Sequence, residues 1–311
     1  MIEVQSLSRY YGSRCAVEKV SFSIRANEVV GFLGLNGAGK TTTLKVLAGL
    51  LLPSGGGVMV DGVDMSESPT DVRGRIGFLP EDPPLYTEMT VRDFLAFVGG
   101  LRGMTAQALQ DRIPVVLNKA NLNDVADRVI AELSHGYRKR VGIAQAIVHA
   151  PKLVILDEPI SGLDPVQIVE MRDVIRSLKS ESTVLVSSHI LSEISQTCDR
   201  LLVLNQGRLV AQGTEHELAG RFHIGGSVDL VLRGDATEVR SLLEAQADVK
   251  KVIPLGQDGD SVRVRVSMAN DVRENLVSAL VQGGFGVRGV TDAHDELEGI
   301  FLDLTASEGE A

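Results

Sequence analysis

Apolar and polar residues alternate with a period of two over Ile2 to Leu7 and again over Ala16 to Ile24, with a break at Tyr11-Gly12-Ser13. That pattern predicts short antiparallel strands with one buried face, a small β platform. Glu28-Val29-Val30-Gly31-Phe32-Leu33 lacks the alternation, and a short unbroken apolar run predicts a strand covered on both faces. It leads into glycines and then a helical pattern from Lys40 to Ala48. From about Thr90 to Ile147 the apolar spacing is helical, through Phe94, Leu95 and Val98 and later Tyr137, Val141, Ala144 and Val148. Leu153 to Asp157 and Val184 to Ser187 predict two more buried strands, separated by a helix opening near Pro165. Strands alternating with helices predict an α/β domain on a largely parallel sheet, with residues 90–147 as a helical insert.

Near Ile224 the texture changes. Val262-Arg263-Val264-Arg265-Val266 alternates strictly, while Val272, Leu276 and Leu280 repeat at helical spacing. We read residues 1–220 as one α/β domain and 224–305 as a small α+β domain, ferredoxin-like or similar. Its last helix would carry Leu297, Ile300, Phe301 and Leu304 on one face, and residues 306–311 would be a frayed acidic tail.

Composition narrows the classes. With 44% hydrophobic residues in 311, the chain has the apolar content for a substantial core. No apolar run approaches the roughly 20 residues that span a bilayer, and the first residues lack a signal peptide's basic and apolar regions, so an intracellular protein is expected. Cys15 and Cys198 stand apart, at no metal-ligand or redox spacing, and are read as packing residues. Forty-one acidic against 31 basic residues give a net charge of -10, and no long basic run marks a nucleic-acid footprint; no nucleic-acid partner is expected.

Candidate chemistry begins at Gly34-Leu35-Asn36-Gly37-Ala38-Gly39-Lys40-Thr41-Thr42. A Gly-rich loop ending in Lys and a hydroxyl residue, after a buried strand and opening a helix, is a phosphate cradle. Glycines let successive N–H groups converge on phosphate oxygens, Lys40 adds a point charge for the β and γ phosphates, and Thr41 offers a hydroxyl to Mg²⁺. Downstream, Asp157-Glu158 ends an apolar strand, where open α/β sheets place ligand chemistry. A lone acidic pair there reads as a solvated turn; with the phosphate loop upstream, Asp157 reads as a Mg²⁺ partner and Glu158 as the group that polarises the attacking water.

In this order the motifs resemble the ABC ATPases, the nucleotide-binding subunits of ABC transporters, over about Ile2 to Gly220. The resemblance implies ATP and Mg²⁺ as ligands, with Tyr11 stacking on adenine and Tyr10 as the fallback. Leu133-Ser134-His135-Gly136-Tyr137 is similar to the family signature, whose Ser134 and Gly136 would reach the γ phosphate held by a second subunit. Ser134 also reads as a helix N-cap. Ser161-Gly162-Leu163-Asp164 resembles the loop linking the two active sites, and His189 the switch histidine at the γ phosphate. Where the family has Gln after Ile76 to Pro80, this chain has Glu81, whose carboxylate can still ligate Mg²⁺ but cannot donate a hydrogen bond. His135 and Tyr137 replace smaller or different family residues and add bulk where the second nucleotide face would close.

These variants resemble the branch of ABC-2-type exporters, including those similar to gliding-motility and multidrug-export ATPases. That implies a dimer, most simply of identical chains, hydrolysing ATP in the cytoplasm on the inner face of the membrane. A separate permease would receive the stroke. The alternative is a soluble ABC ATPase acting on ribosomes or nucleic acid, but the paired domains, coiled-coil inserts or cysteine clusters usual there are not in this sequence.

Overall fold

The computed structural model describes residues 2–215, 217–218 and 227–292. They fall into two compact units that divide between Thr214 and Glu215.

The first unit holds two sheets. Strands β1 (Ile2–Tyr11) and β2 (Arg14–Ile24) form the antiparallel hairpin expected from their alternation. They are joined by β4 (Gly55–Val60) and β5 (Val63–Asp64) in the order β2-β1-β4-β5. The second sheet runs β10-β9-β3-β8-β7-β6. It comprises β3 (Val29–Leu33), β6 (Ile76–Leu79), β7 (Leu153–Leu156), β8 (Thr183–Ser188), β9 (Arg200–Asn205) and β10 (Arg208–Gly213). All neighbours are parallel except β9 and β10.

The unbroken apolar strands have a simple cause. Leu153 and Ile155 of β7 face one core with Phe32, Leu44 and Leu47, while Val154 and Leu156 face a second with Phe94, Val141 and Ile175. Each such fully buried side chain contributes roughly 1.5–3 kcal/mol. The first core lies against the platform and α1 (Lys40–Leu47). The second is covered by α3 (Val91–Leu101), α4 (Ala106–Lys119), α5 (His135–Ile147) and α6 (Pro165–Leu178), while the short α2 (Pro69–Gly74) and α7 (Leu191–Ser195) complete the unit. Thr90, Thr105, Ser134 and Asp164 cap α3 to α6 by accepting an N–H in the first turn of each.

His149, just past α5, makes the core sensitive to pH. Its Nε2 lies 3.2 Å from the Ile76 carbonyl, and Nδ1 is buried with no hydrogen-bond partner. Burial, with nearby Arg102 adding to it, pulls the imidazole from 6.5 down to about 4. Between those values the unfolded chain takes up a proton that the folded chain refuses, so stability present above pH 6.5 is lost as the pH falls toward 4. Urea midpoints at pH 7.5 and 5 are expected to differ less in His149→Gln than in the parent; an equal difference would remove His149 as the cause.

In the second unit, β11 (Ser227–Arg233), α8 (Ala236–Glu244), β12 (Val249–Asp258), β13 (Ser261–Met268), α9 (Arg273–Gln282) and β14 (Gly286–Asp292) follow in sequence. The sheet is antiparallel in the order β12-β13-β11-β14, which with this βαββαβ sequence is a ferredoxin-like arrangement. Val262, Val264 and Val266 pack with Val239, Leu243, Leu276 and Leu280, while Arg265 on the opposite strand face forks onto Asp229 at 2.7 and 2.8 Å. The expected closing helix with Leu297 to Leu304, and the tail 306–311, lie outside the described residues. Among the described residues no helix is long and apolar enough to cross a membrane.

Candidate functional site

The C-terminal ends of β3, β7 and β8 are adjacent, and the loop from β3 into α1 turns across them. Gly37 and Gly39 take φ of 86° and 98°, in the left-handed region that a side chain disfavours. At Gly39 a Cβ would also lie 2.6 Å from the Ala16 carbonyl oxygen. Those two conformations let the loop curl over the first turn of α1 and aim that helix's N-terminus at a cleft of about 710 Å³. Its walls include Tyr11, Asn36, Gly37, Gly39, Lys40, Thr41, Thr42, Glu81, Glu158 and His189. Tyr10, the fallback for Tyr11, is not among them. Ala38 and Asp157 sit behind the wall, buried at 5% and 2% exposure.

The charged centre is Lys40, Glu158 and His189. Lys40 is 6% exposed; its ammonium donates to the Gly34 carbonyl at 2.7 Å and lies 3.3 Å from Glu158 Oε1. His189 Nδ1 is 2.9 Å from Glu158 Oε2, so with a carboxylate there the proton sits on Nδ1. Glu158 itself has φ of 47°, a left-handed conformation that is costly for a residue with a side chain and must be held from outside. Ser187 supplies part of that hold: its Oγ accepts from the Glu158 N–H at 2.9 Å and donates to Asp157 Oδ1 at 2.6 Å. One hydroxyl thus fixes both acidic residues. Sequence reasoning placed Ser187 at the end of a buried strand and gave it no role, although a buried hydroxyl closing an apolar run was the available signal.

The cleft also exposes residues not anticipated. Arg14 and Cys15, at the end of the β1–β2 hairpin, and Gln206, in the turn between β9 and β10, line it. Cys15 is exposed, which corrects its reading as a packing residue: the hairpin tip extends beyond the core that holds the rest of β2. Cys198 is partly buried against the helical core, and burial raises its thiol pKa.

Three expected ligand contacts lie away from this cleft. Ser134 caps α5, accepting from Tyr137 N–H at 3.4 Å, and Asp164 caps α6, accepting from Gln167 N–H at 2.9 Å. Gly136 packs against Gln167 of α6. None of the three lines the cleft of its own chain. Tyr137 is engaged by residues of its own chain. Its hydroxyl donates to Asp124 Oδ2 at 2.7 Å, Arg140 stacks 5.2 Å over its ring, and so it is turned into its own helical segment. The hydrogen bond to Asp124, with burial, raises the Tyr137 hydroxyl pKa. His135 remains exposed beside Gly162.

The family model for ABC transporter matches residues 17–161. The Nod factor export ATP-binding protein I of Burkholderia lata is 34% identical over 308 residues, covering 99% of this chain and 97% of the relative. The bacitracin transport ATP-binding protein BcrA of Bacillus licheniformis is 33% identical over 306 residues, covering 98% and 97%. A solved ATP-binding subunit of an ABC transporter superposes with a TM-score of 0.64 at 32% identity, covering 71% of this chain and 93% of that one. Relatives at a third identity that run the length of both chains, on a fold shared with a solved member, settle the kinship: the chain belongs to the family of ATP-binding, ATP-hydrolysing subunits of ABC transporters.

Proposed function

We propose that two copies of this chain close around ATP and Mg²⁺ and, by hydrolysing the ATP, drive a separate membrane-spanning permease in the export direction. The observation that carries the hydrolytic part is Glu158, 8% exposed, between the Lys40 ammonium and the His189 imidazole at the wall of the phosphate-loop cleft. In this reading Glu158 polarises the water that attacks the γ phosphorus, His189 stabilises the γ phosphate, and Lys40 pairs with the β and γ oxygens. Tyr11 stacks on the base. Asn36 to Thr42 cradle the phosphates through main-chain N–H groups and the Thr41 and Thr42 hydroxyls.

The residues suit Mg²⁺: Thr41, Asp157 and Glu81 are hard oxygen donors, and Ser187 Oγ fixes the Asp157 carboxylate by donating to Oδ1 at 2.6 Å. When bound, the ion neutralises charge on the β and γ phosphates. Ser134, Gly136 and Asp164 lie outside their own chain's cleft, which supports a second copy supplying them to it. Export is supported by the names of the relatives, one an export and one a transport ATP-binding protein. Those relatives favour a transporter over the soluble alternative acting on ribosomes or nucleic acid, and a permease partner puts the chain on the cytoplasmic face of the membrane.

The test is to tag Glu158→Gln in its host, solubilise membranes with ATP present and identify what co-purifies. A polytopic membrane protein in stoichiometric amount is expected. Recovery with ribosomes or DNA instead would leave an ATPase and overturn its coupling to transport.

A further inference from the structure

Lysine is rarely buried without partners, yet Lys139, in the second turn of α5, is 2% exposed. Its ammonium donates to the main-chain carbonyl of Glu81 and, at 3.4 Å, to that of Glu158. Those carbonyls belong to two different loops, one following β6 and one following β7, on neighbouring parallel strands. Burial lowers the Lys139 pKa, opposed by Asp82, Glu81, Glu158 and Asp157 around it. An ammonium out of water is unfavourable unless carbonyls and carboxylates replace its hydration, so packing alone would favour an apolar side chain here.

The strained residue shows what the lysine does. Glu158 holds a left-handed backbone without being glycine. Its N–H is held by Ser187 from β8, and its C=O accepts from Ser161 N–H at 3.3 Å in its own loop and from Lys139 of α5, whose ammonium also reaches the Glu81 carbonyl. We propose that Lys139 is a positioning residue whose ammonium ties the Glu81 loop to the main chain of Glu158, so that displacement of that loop moves the carboxylate that polarises water. The inference rests on the role of Glu158 proposed above. It gives the loop bearing Glu81 a direct connection to the hydrolytic group within one chain, carried by a side chain of the helix that Ser134 caps.

The test uses the purified full chain, with steady-state phosphate release and ATP affinity measured separately. Lys139→Met, of similar length but with no donor, should lower kcat at least thirtyfold while the Kd for ATP stays within threefold of the parent. Lys139→Gln, which keeps N–H donors on a shorter arm, should lower kcat only three- to tenfold, again with ATP affinity kept. In a Glu158→Gln background Lys139→Met should add no further loss, because residues acting through one another are not additive. Parental kcat in Lys139→Gln overturns the proposal even if Lys139→Met does not fold, as does a parallel loss of ATP affinity or a full multiplicative loss on top of Glu158→Gln. Parental turnover in Glu158→Gln would instead remove the reading of Glu158 itself. Parental turnover in the Lys139 variants beside an inactive Glu158→Gln removes only the link.

Discussion

Glu158→Gln is expected to keep ATP bound while steady-state phosphate release falls by about 10²- to 10⁴-fold, the range of a positioned general base. The amide keeps the shape of the carboxylate but has one acceptor oxygen, whereas Glu158 now faces two donors, Lys40 Nζ at 3.3 Å and His189 Nδ1 at 2.9 Å. One of them loses its partner, and the remaining oxygen is too weak a base to draw a proton from water. Because the phosphate loop is untouched, ATP still binds, and the slowed chain should accumulate as a dimer on gel filtration with ATP and Mg²⁺. Turnover within threefold of the parent would falsify the assignment of Glu158. A loss of ATP affinity equal to the loss of turnover would show that the substitution had damaged the cleft rather than the chemistry.

Lys40→Ala is expected to weaken ATP binding by about 2–5 kcal/mol, roughly 30- to 4,000-fold in Kd, the usual cost of truncating one partner of a buried charged hydrogen bond. Lys40 opens α1 at the bend set by Gly37 and Gly39, so its ammonium sits where loop N–H groups and helix dipole already favour an anion. The substitution also removes the Lys40 ammonium from Glu158 Oε1, leaving the His189 imidazole 2.9 Å from Oε2. Fluorescent-nucleotide titration of the folded variant checks it. Parental affinity would remove the phosphate-loop reading, and the contrast with Glu158→Gln separates binding from chemistry by two residues in one ion pair.

What the chain reveals of itself before folding is local. The buried strands could be read because each is covered on both faces and so cannot alternate, as Leu153 to Leu156 show by dividing their side chains between two cores. The phosphate loop, the acidic strand end and the Ser134 cap could be read because each function needs its residue types within a few positions of one another. Lys40 and Glu158 were therefore legible as candidates, and Tyr11 and His189 through the resemblance to the family, although their distances were not. The second unit was legible as strands and helices from its periods, but period says only which face is buried. Backbone pairing decided that β11 lies between β13 and β14.

Contacts between distant residues were decided by tertiary structure. Ser187 reaches Asp157 and Glu158 across about 30 positions because β7 and β8 pair in parallel register, and Lys139 reaches Glu81 across 58 because α5 packs over the ends of β6 and β7. Neither contact has a sequence spacing of its own. The same holds for the correction at Cys15, exposed because a hairpin tip extends past its core, and for the Tyr137 hydroxyl, which meets Asp124 thirteen positions away. The sequence by itself determined the phosphate loop, the covered strands and the order of candidate groups, since these follow from short-range sterics and hydrophobic period. Only the tertiary structure decided which groups hold Glu158 in its left-handed backbone, because strain at one residue is stabilised by side chains that folding brings in from elsewhere.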